Sequence, residues 1–157
     1  MQHTISVLVE NKFGVLARIS TLFAARGFNI DSLAVGETED PNISRMTIVV
    51  KGDDSVLEQV TKQLNKLVDV IKVNDFSEAD YVERGLALIK ISVKNSTRET
   101  IMKTIGVFRG KIIDLSKDSV VVEITGDEEK IEAFIEAVSA YGIKEVCRTG
   151  VVALSRK

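Results

Sequence analysis

The chain has 157 residues, of which 45% are apolar and 28% charged, with a net charge of −2; this is the balance of one ordinary globular domain or two small ones. No Lys/Arg block gives the basic footprint of a nucleic-acid binder, and apolar runs such as Met46–Val50 are far too short to span a bilayer. The first residues lead straight into a strand pattern without the pattern of a signal peptide, and a single cysteine, Cys147, excludes an intramolecular disulfide and fits a reducing cytoplasm.

Thr4–Val9 alternates, with Ile5, Val7 and Val9 on one face, and predicts a strand. Gly14–Arg26 follows with Val15, Leu16, Ile19, Leu22 and Phe23 at helical spacing, and Gly27 stands where a left-handed helix cap belongs. Phe28–Glu37 and Ile43–Lys51 are strand-like and flank the loop Thr38–Asn42, whose neighbouring acids Glu37, Glu39 and Asp40 suit a solvated turn. Ser55–Leu67 predicts a second helix, with Ser55 and Glu58 as a capping box and Leu57, Val60, Leu64 and Leu67 as its inward stripe. Val68–Val73 closes the unit as a fourth strand. The order βαββαβ is that of a ferredoxin-like domain, a four-stranded antiparallel sheet with two helices.

The same order then returns. Leu86–Val93 predicts a strand, and Thr97–Phe108 a helix opened by a second capping box, Ser96 with Glu99. Lys111–Ser116 and Ser119–Thr125 predict strands, Asp127–Ala140 a helix with Ile131, Phe134, Ile135 and Val138 inward, and Ile143–Thr149 the last strand. Ile5, Val7, Val9 and Asn11 match Ile89, Ile91, Val93 and Asn95, and Arg26-Gly27 with Ile30-Asp31 matches Arg109-Gly110 with Ile113-Asp114. The chain therefore reads as an α+β protein of two related ferredoxin-like domains, residues 1–76 and 85–157, joined by a charged linker over 77–84.

The two copies differ at the first turn. Asn11-Lys12-Phe13-Gly14 opens a helix whose N-terminal N–H groups and partial positive charge can hold a carboxylate. Gly14 permits close approach to the backbone, and Asn11 and Asn29 add amides able to meet both ends of a zwitterion. The second copy has Arg98 and Ile112 at the positions matching Gly14 and Asn29, so this chemistry belongs to the first copy. A plainer reading stands beside it: Asn11 as a cap and Gly14 as relief of crowding.

The stretch Asn11-Lys-Phe-Gly-Val-Leu-Ala-Arg-Ile-Ser-Thr-Leu-Phe-Ala-Ala-Arg-Gly-Phe-Asn-Ile-Asp-Ser-Leu33, continued by Ser44–Val50, resembles the first ACT domain of acetolactate synthase small subunits, and the likeness extends over the whole chain. The resemblance implies a regulatory subunit of branched-chain amino-acid biosynthesis with no catalytic site of its own. Such a subunit activates a large catalytic subunit and confers feedback inhibition by valine. Thiamine diphosphate, Mg and FAD are expected in that partner and no cofactor in this chain. The resemblance further implies a cytoplasmic homodimer joined through its ACT domains. Its amino-acid site comprises Asn11, Gly14, Val15 and Leu16 of one chain with Asn29 and Ile30 of the other. The alternative is a free-standing ACT-type sensor serving a different enzyme.

Other functions of the fold fit the residues poorly. An acylphosphatase-type turn needs an arginine, whereas Asn11–Gly14 offers Lys12, with Arg18 a turn into the helix. An RNA-recognition sheet needs aromatics on its central strands, and Arg45–Lys51 has none. The lone His3 is expected to be a solvated strand residue and Cys147 a small core residue. Asp53, Asp54 and Asp127–Glu129 precede helices, where acids favour the dipole, and no metal is assigned to them.

Overall fold

The computed structural model describes residues 1–77 and 80–157. Two compact units emerge, Met1–Val82 with Gly150–Lys157, and Glu83–Thr149. The first contains β1 (Gln2–Glu10), α1 (Val15–Ala25), β2 (Ile30–Glu37), β3 (Ile43–Lys51), α2 (Asp54–Asn65) and β4 (Val70–Asp75). Its antiparallel sheet has the order β2-β3-β1-β4, which leaves β2 on an edge. Ile5, Val7 and Val9 of β1 and Met46, Ile48 and Val50 of β3 point to one face, where Val15, Ile19 and Phe23 of α1 and Leu57, Val60 and Leu64 of α2 cover them. The alternation in the strands and the three-to-four spacing in the helices place these side chains on one inner layer. Each contributes about 1.5–3 kcal/mol by leaving water.

The second sheet follows the order β6-β7-β5-β8. It is built from β5 (Tyr81–Ser92), α3 (Arg98–Val107), β6 (Lys111–Leu115), β7 (Ser119–Gly126), α4 (Glu128–Ser139) and β8 (Ile143–Arg148). Ile89, Ile91, Val122 and Ile124 pack beneath Ile101, Ile105, Phe134 and Val138. Both units are the expected α+β sandwiches. Among the described residues, no helix is long and apolar enough to cross a membrane.

Several local expectations require correction. The α2 cap is Asp53, whose carboxylate accepts the Val56 N–H at 3.0 Å; Ser55 lies inside the first turn and donates its hydroxyl to Asp53. Asp53 won because it, and not Ser55, has the extended backbone a cap requires. Nor do Ser96 and Glu99 form a capping box. Helix α3 starts at Arg98, the Thr97 hydroxyl is occupied by the Lys94 N–H at 3.1 Å, and Glu99 pairs with Lys103 at 3.2 Å. Part of the expected linker is strand, since β5 begins at Tyr81; Glu78 and Ala79 lie outside the described residues.

The chain ends in a further strand, β9 (Val152–Ser155), which pairs with β5 and makes the second sheet five-stranded. Four residues following a Thr-Gly pair carry too little pattern to signal a strand, and pairing alone creates it. The segment leading into it is part of the first unit, where the Val151 N–H donates to the Ser32 hydroxyl at 3.1 Å. His3 is buried, with Nε2 3.0 Å from the Gly52 carbonyl oxygen and Nδ1 3.2 Å from the Ser77 hydroxyl. Cys147 is exposed, because its register opposite Leu88 puts it on the face away from the helices.

The helix ends refine the repeat. After α1, Gly27 adopts φ +71°, its N–H bonds to the Ala24 carbonyl and the Phe28 N–H to the Phe23 carbonyl at 3.0 Å. This Schellman pattern is reinforced by an edge-to-face contact of Phe23 and Phe28, 6.3 Å between ring centres. After α3 the same bonds recur, Arg109 to Gly106 and Gly110 to Ile105. There the left-handed residue is Arg109, at φ +55°, and not the sequence-matched Gly110.

Candidate functional site

The β1–α1 turn is held from three sides. The Asn11 N–H donates to the Asn42 carbonyl at 2.7 Å, and its side-chain amide donates to the Pro41 carbonyl at 2.9 Å and to Glu37 Oε1 at 3.2 Å. The Glu10 N–H donates to the Asp69 carbonyl at 2.9 Å. Lys12 folds back on Glu10 at 2.7 Å, and that hydrogen bond and charge hold its ammonium above the ordinary lysine range.

Gly14 occupies the cap position of α1 with φ +84° and ψ −4°, a left-handed conformation that disfavours any residue with a Cβ. With no side chain there, Gly14 makes no side-chain cap bond to the first turn; within the turn the Val15 N–H donates to the Lys12 carbonyl at 3.4 Å. In the second unit the turn before α3 stays right-handed at Thr97, so the matching position, Arg98, tolerates a side chain. Gly14 is thus required by the backbone as well as suited to close approach.

Among the expected site residues, Asn11, Gly14, Val15 and Leu16 lie together. Val15 is buried in the core, whereas Leu16 is exposed, as is Phe13 beside it. Asn29 and Ile30 lie elsewhere. Asn29 is exposed and donates to Asp31 Oδ1 at 3.1 Å, and Ile30 pairs with Val50, which in turn pairs with His3 at the start of β1. His3 and Asn11 are eight positions apart along an extended strand. At about 3.3 Å per residue, the two groups are separated by roughly 26 Å within one chain. One copy therefore does not bring the two halves of the expected site together.

Residues 5–72 match the family model described as the AHAS small subunit-like ACT domain, and residues 84–157 match that described as the small subunit of acetolactate synthase. The chain belongs to the acetolactate synthase small-subunit family. It is 56% identical to the probable acetolactate synthase small subunit of Archaeoglobus fulgidus, over 99% of this chain and 98% of that one. It is 54% identical to the acetolactate synthase small subunit of Mycolicibacterium smegmatis, over 98% and 91% of the two chains. The crystal structure of the acetolactate synthase small subunit from Thermotoga maritima superposes with a TM-score of 0.90 at 46% identity, covering 100% of this chain and 98% of that one.

Around the turn of this acetolactate synthase small-subunit relative, sequence reasoning missed Asp69. The sequence places the start of the fourth strand at Val68. Instead Val68 is exposed, Asp69 is buried and the strand starts at Val70. Asp69 Oδ2 accepts from Arg18 Nε at 2.9 Å and from Arg18 Nη2. A buried carboxylate facing an arginine one helical turn beyond Gly14 is visible only once the strand–helix packing is known. No cluster of three or more His, Cys, Asp or Glu side chains placed to hold a metal occurs among the described residues.

Proposed function

We propose that the chain is the regulatory subunit of an acetolactate synthase. It activates a cytoplasmic catalytic subunit that carries thiamine diphosphate, Mg and FAD, and it confers feedback inhibition by valine. In this reading residues 1–76 form the effector-binding, dimerising ACT domain and residues 85–157 a second ACT-like domain. The effector sits between the first domains of two copies.

The observation that carries the dimeric site is the separation of Asn29–Ile30 from Asn11–Gly14, combined with the edge position of β2. A second copy pairing its β2 antiparallel to the first would set Ile30 opposite the partner's far end of β2, at Glu37. Glu37 is the residue that Asn11 holds at 3.2 Å. Two symmetric sites would result, each with a helix N-terminus and Gly14 from one copy and Asn29 from the other. Val35 is exposed on this edge, an apolar side chain that pairing would cover.

Co-purification with an acetolactate synthase catalytic chain, assayed with and without valine, tests the role. Gly14→Asp places a carboxylate against the effector's own, and Asn29→Ala removes a polar partner; each is expected to weaken valine inhibition at least about tenfold while activation persists. Mixed dimers of the two variants test the shared site. One of the two sites in each mixed dimer has both parental residues, so valine binding should return at about half of the sites of the mixed dimers, which is about a quarter of all sites after random exchange of equal amounts. No restoration on mixing would refute a site shared between copies.

A further inference from the structure

Resting on the effector site proposed above, we propose that Asp69 is a positioning residue of that site. It holds Arg18 so that the guanidinium lies beside Gly14 and recognises the carboxylate of the effector. The geometry gives Asp69 two holds on the same turn. Its carbonyl takes the Glu10 N–H at 2.9 Å, fixing the end of β1, and its carboxylate takes Arg18 Nε at 2.9 Å, fixing the first turn of α1. The β1–β4 register shifts between Leu8 and Val9, and beyond it the corner closed by the Val70 N–H on the Leu67 carbonyl at 3.1 Å leaves Asp69 beside Glu10. Asp69 itself is 7% exposed, so its charge is shielded from water and committed to Arg18.

Both nitrogens that meet Asp69 are Nε and Nη2. The third, Nη1, makes no hydrogen bond among the described residues and lies 3.3 Å from where a Cβ on Gly14 would stand. An anion seated over Gly14 would therefore meet a cation whose direction is already set. Arginine presents its donors as a rigid fork, so anchoring one edge orients the other. The Arg18 side chain is half exposed, which leaves its free edge open to a ligand.

The internal repeat provides a contrast. In the second unit the position matching Arg18 is Met102, the residues leading into β8, Tyr141, Gly142 and Ile143, carry no carboxylate, and the Lys94 N–H, which matches that of Glu10, donates instead to the Thr97 hydroxyl at 3.1 Å. Both members of the pair are missing from the copy that also lacks the equivalents of Gly14 and Asn29.

Calorimetric titration of the full chain with valine and with valinamide tests the inference. The parent should prefer valine strongly. Arg18→Met, which installs the residue of the second unit, should lose at least about tenfold in valine affinity and most of the preference over valinamide. Arg18→Lys should keep part of that preference, because the charge remains. Asp69→Asn should lose valine affinity and preference together, with circular dichroism unchanged, and Asp69→Glu should recover part of both. A purely structural role for the pair would leave the valine-to-valinamide ratio unmoved, so an unchanged ratio in both Arg18→Met and Asp69→Asn would overturn the proposal. If those variants keep the ratio while Gly14→Asp abolishes binding, the site stands and only this assignment falls. A parent that binds no valine would remove the site and this inference together.

Discussion

Gly27 and Gly110 occupy the same place in the duplicated sequence, yet they should respond to substitution in opposite orders. Gly27 has φ +71° and nothing within 4 Å of an added Cβ, so only backbone strain is at stake. A left-handed conformation costs an ordinary residue about 1–2 kcal/mol, and Asn pays least because its side chain bonds locally. Gly27→Ala is therefore expected to cost about 1 kcal/mol, and Gly27→Asn less. Gly110 does not adopt a positive φ, but a Cβ there would lie 2.7 Å from Ile124 Cδ1, 2.9 Å from Val122 Cγ1 and 3.1 Å from Ile105 Cγ2. Val122 and Ile124 are fully buried, and valine is stiff at χ1. Overpacking of this kind costs about 1–3 kcal/mol for Ala, and Asn adds the burial of an amide, about 1–3 kcal/mol more. The order is thus Asn milder than Ala at 27, and Ala milder than Asn at 110. Arg109→Gly should stabilise by up to about 1 kcal/mol, since relief of the left-handed strain exceeds the added freedom of the unfolded chain. Urea denaturation of the full-length variants, followed by circular dichroism, measures all five. The same order at both glycines, or clear destabilisation by Arg109→Gly, would refute the reasoning.

Other perturbations probe different parts of the molecule. Gly150 abuts the backbone of β2, where a Cβ would lie 2.6 Å from the Leu33 carbonyl carbon and 3.0 Å from the Ala34 nitrogen. Gly150→Ala should therefore cost about 1–3 kcal/mol and hasten proteolytic loss of the C-terminal segment. Val35→Lys on the β2 edge should leave circular dichroism unchanged and shift sedimentation from dimer to monomer; an unchanged dimer would argue against pairing through that edge. Burial first, then the charges of Asp127 and Glu128, raises the Glu83 carboxyl above the ordinary glutamate range. The folded state thus binds this proton more tightly than the unfolded chain, so ionised Glu83 opposes folding above the folded pKa and the penalty fades as pH falls through it. Glu83→Gln should raise the melting temperature near neutral pH, with a gain that shrinks on acidification; a gain that grows instead would contradict this sign.

Strand alternation and helical spacing determined both sandwiches, because Ile5, Val7 and Val9 can share a face in only one way, and Val15, Ile19 and Phe23 in only one other. Gly27 as a left-handed cap was legible for the same local reason. So were the Asn11–Gly14 turn and its contrast with Arg98, because the residues of a tight turn are set by their own dihedral angles. The tertiary structure decided what depends on distant partners. Asp69 is buried where β1 and β4 shift register and Arg18 pairs with it, whereas the sequence reading began the strand at Val68. Gly110 was fixed by the side chains of Val122 and Ile124 rather than by its own φ, and β9 exists only through pairing with β5. The distance between Asn11 and Asn29 was also beyond the sequence. Two residues 18 positions apart in the chain lie at opposite ends of a sheet, because α1 carries the chain back so that β2 starts level with the beginning of β1 and runs in the same direction.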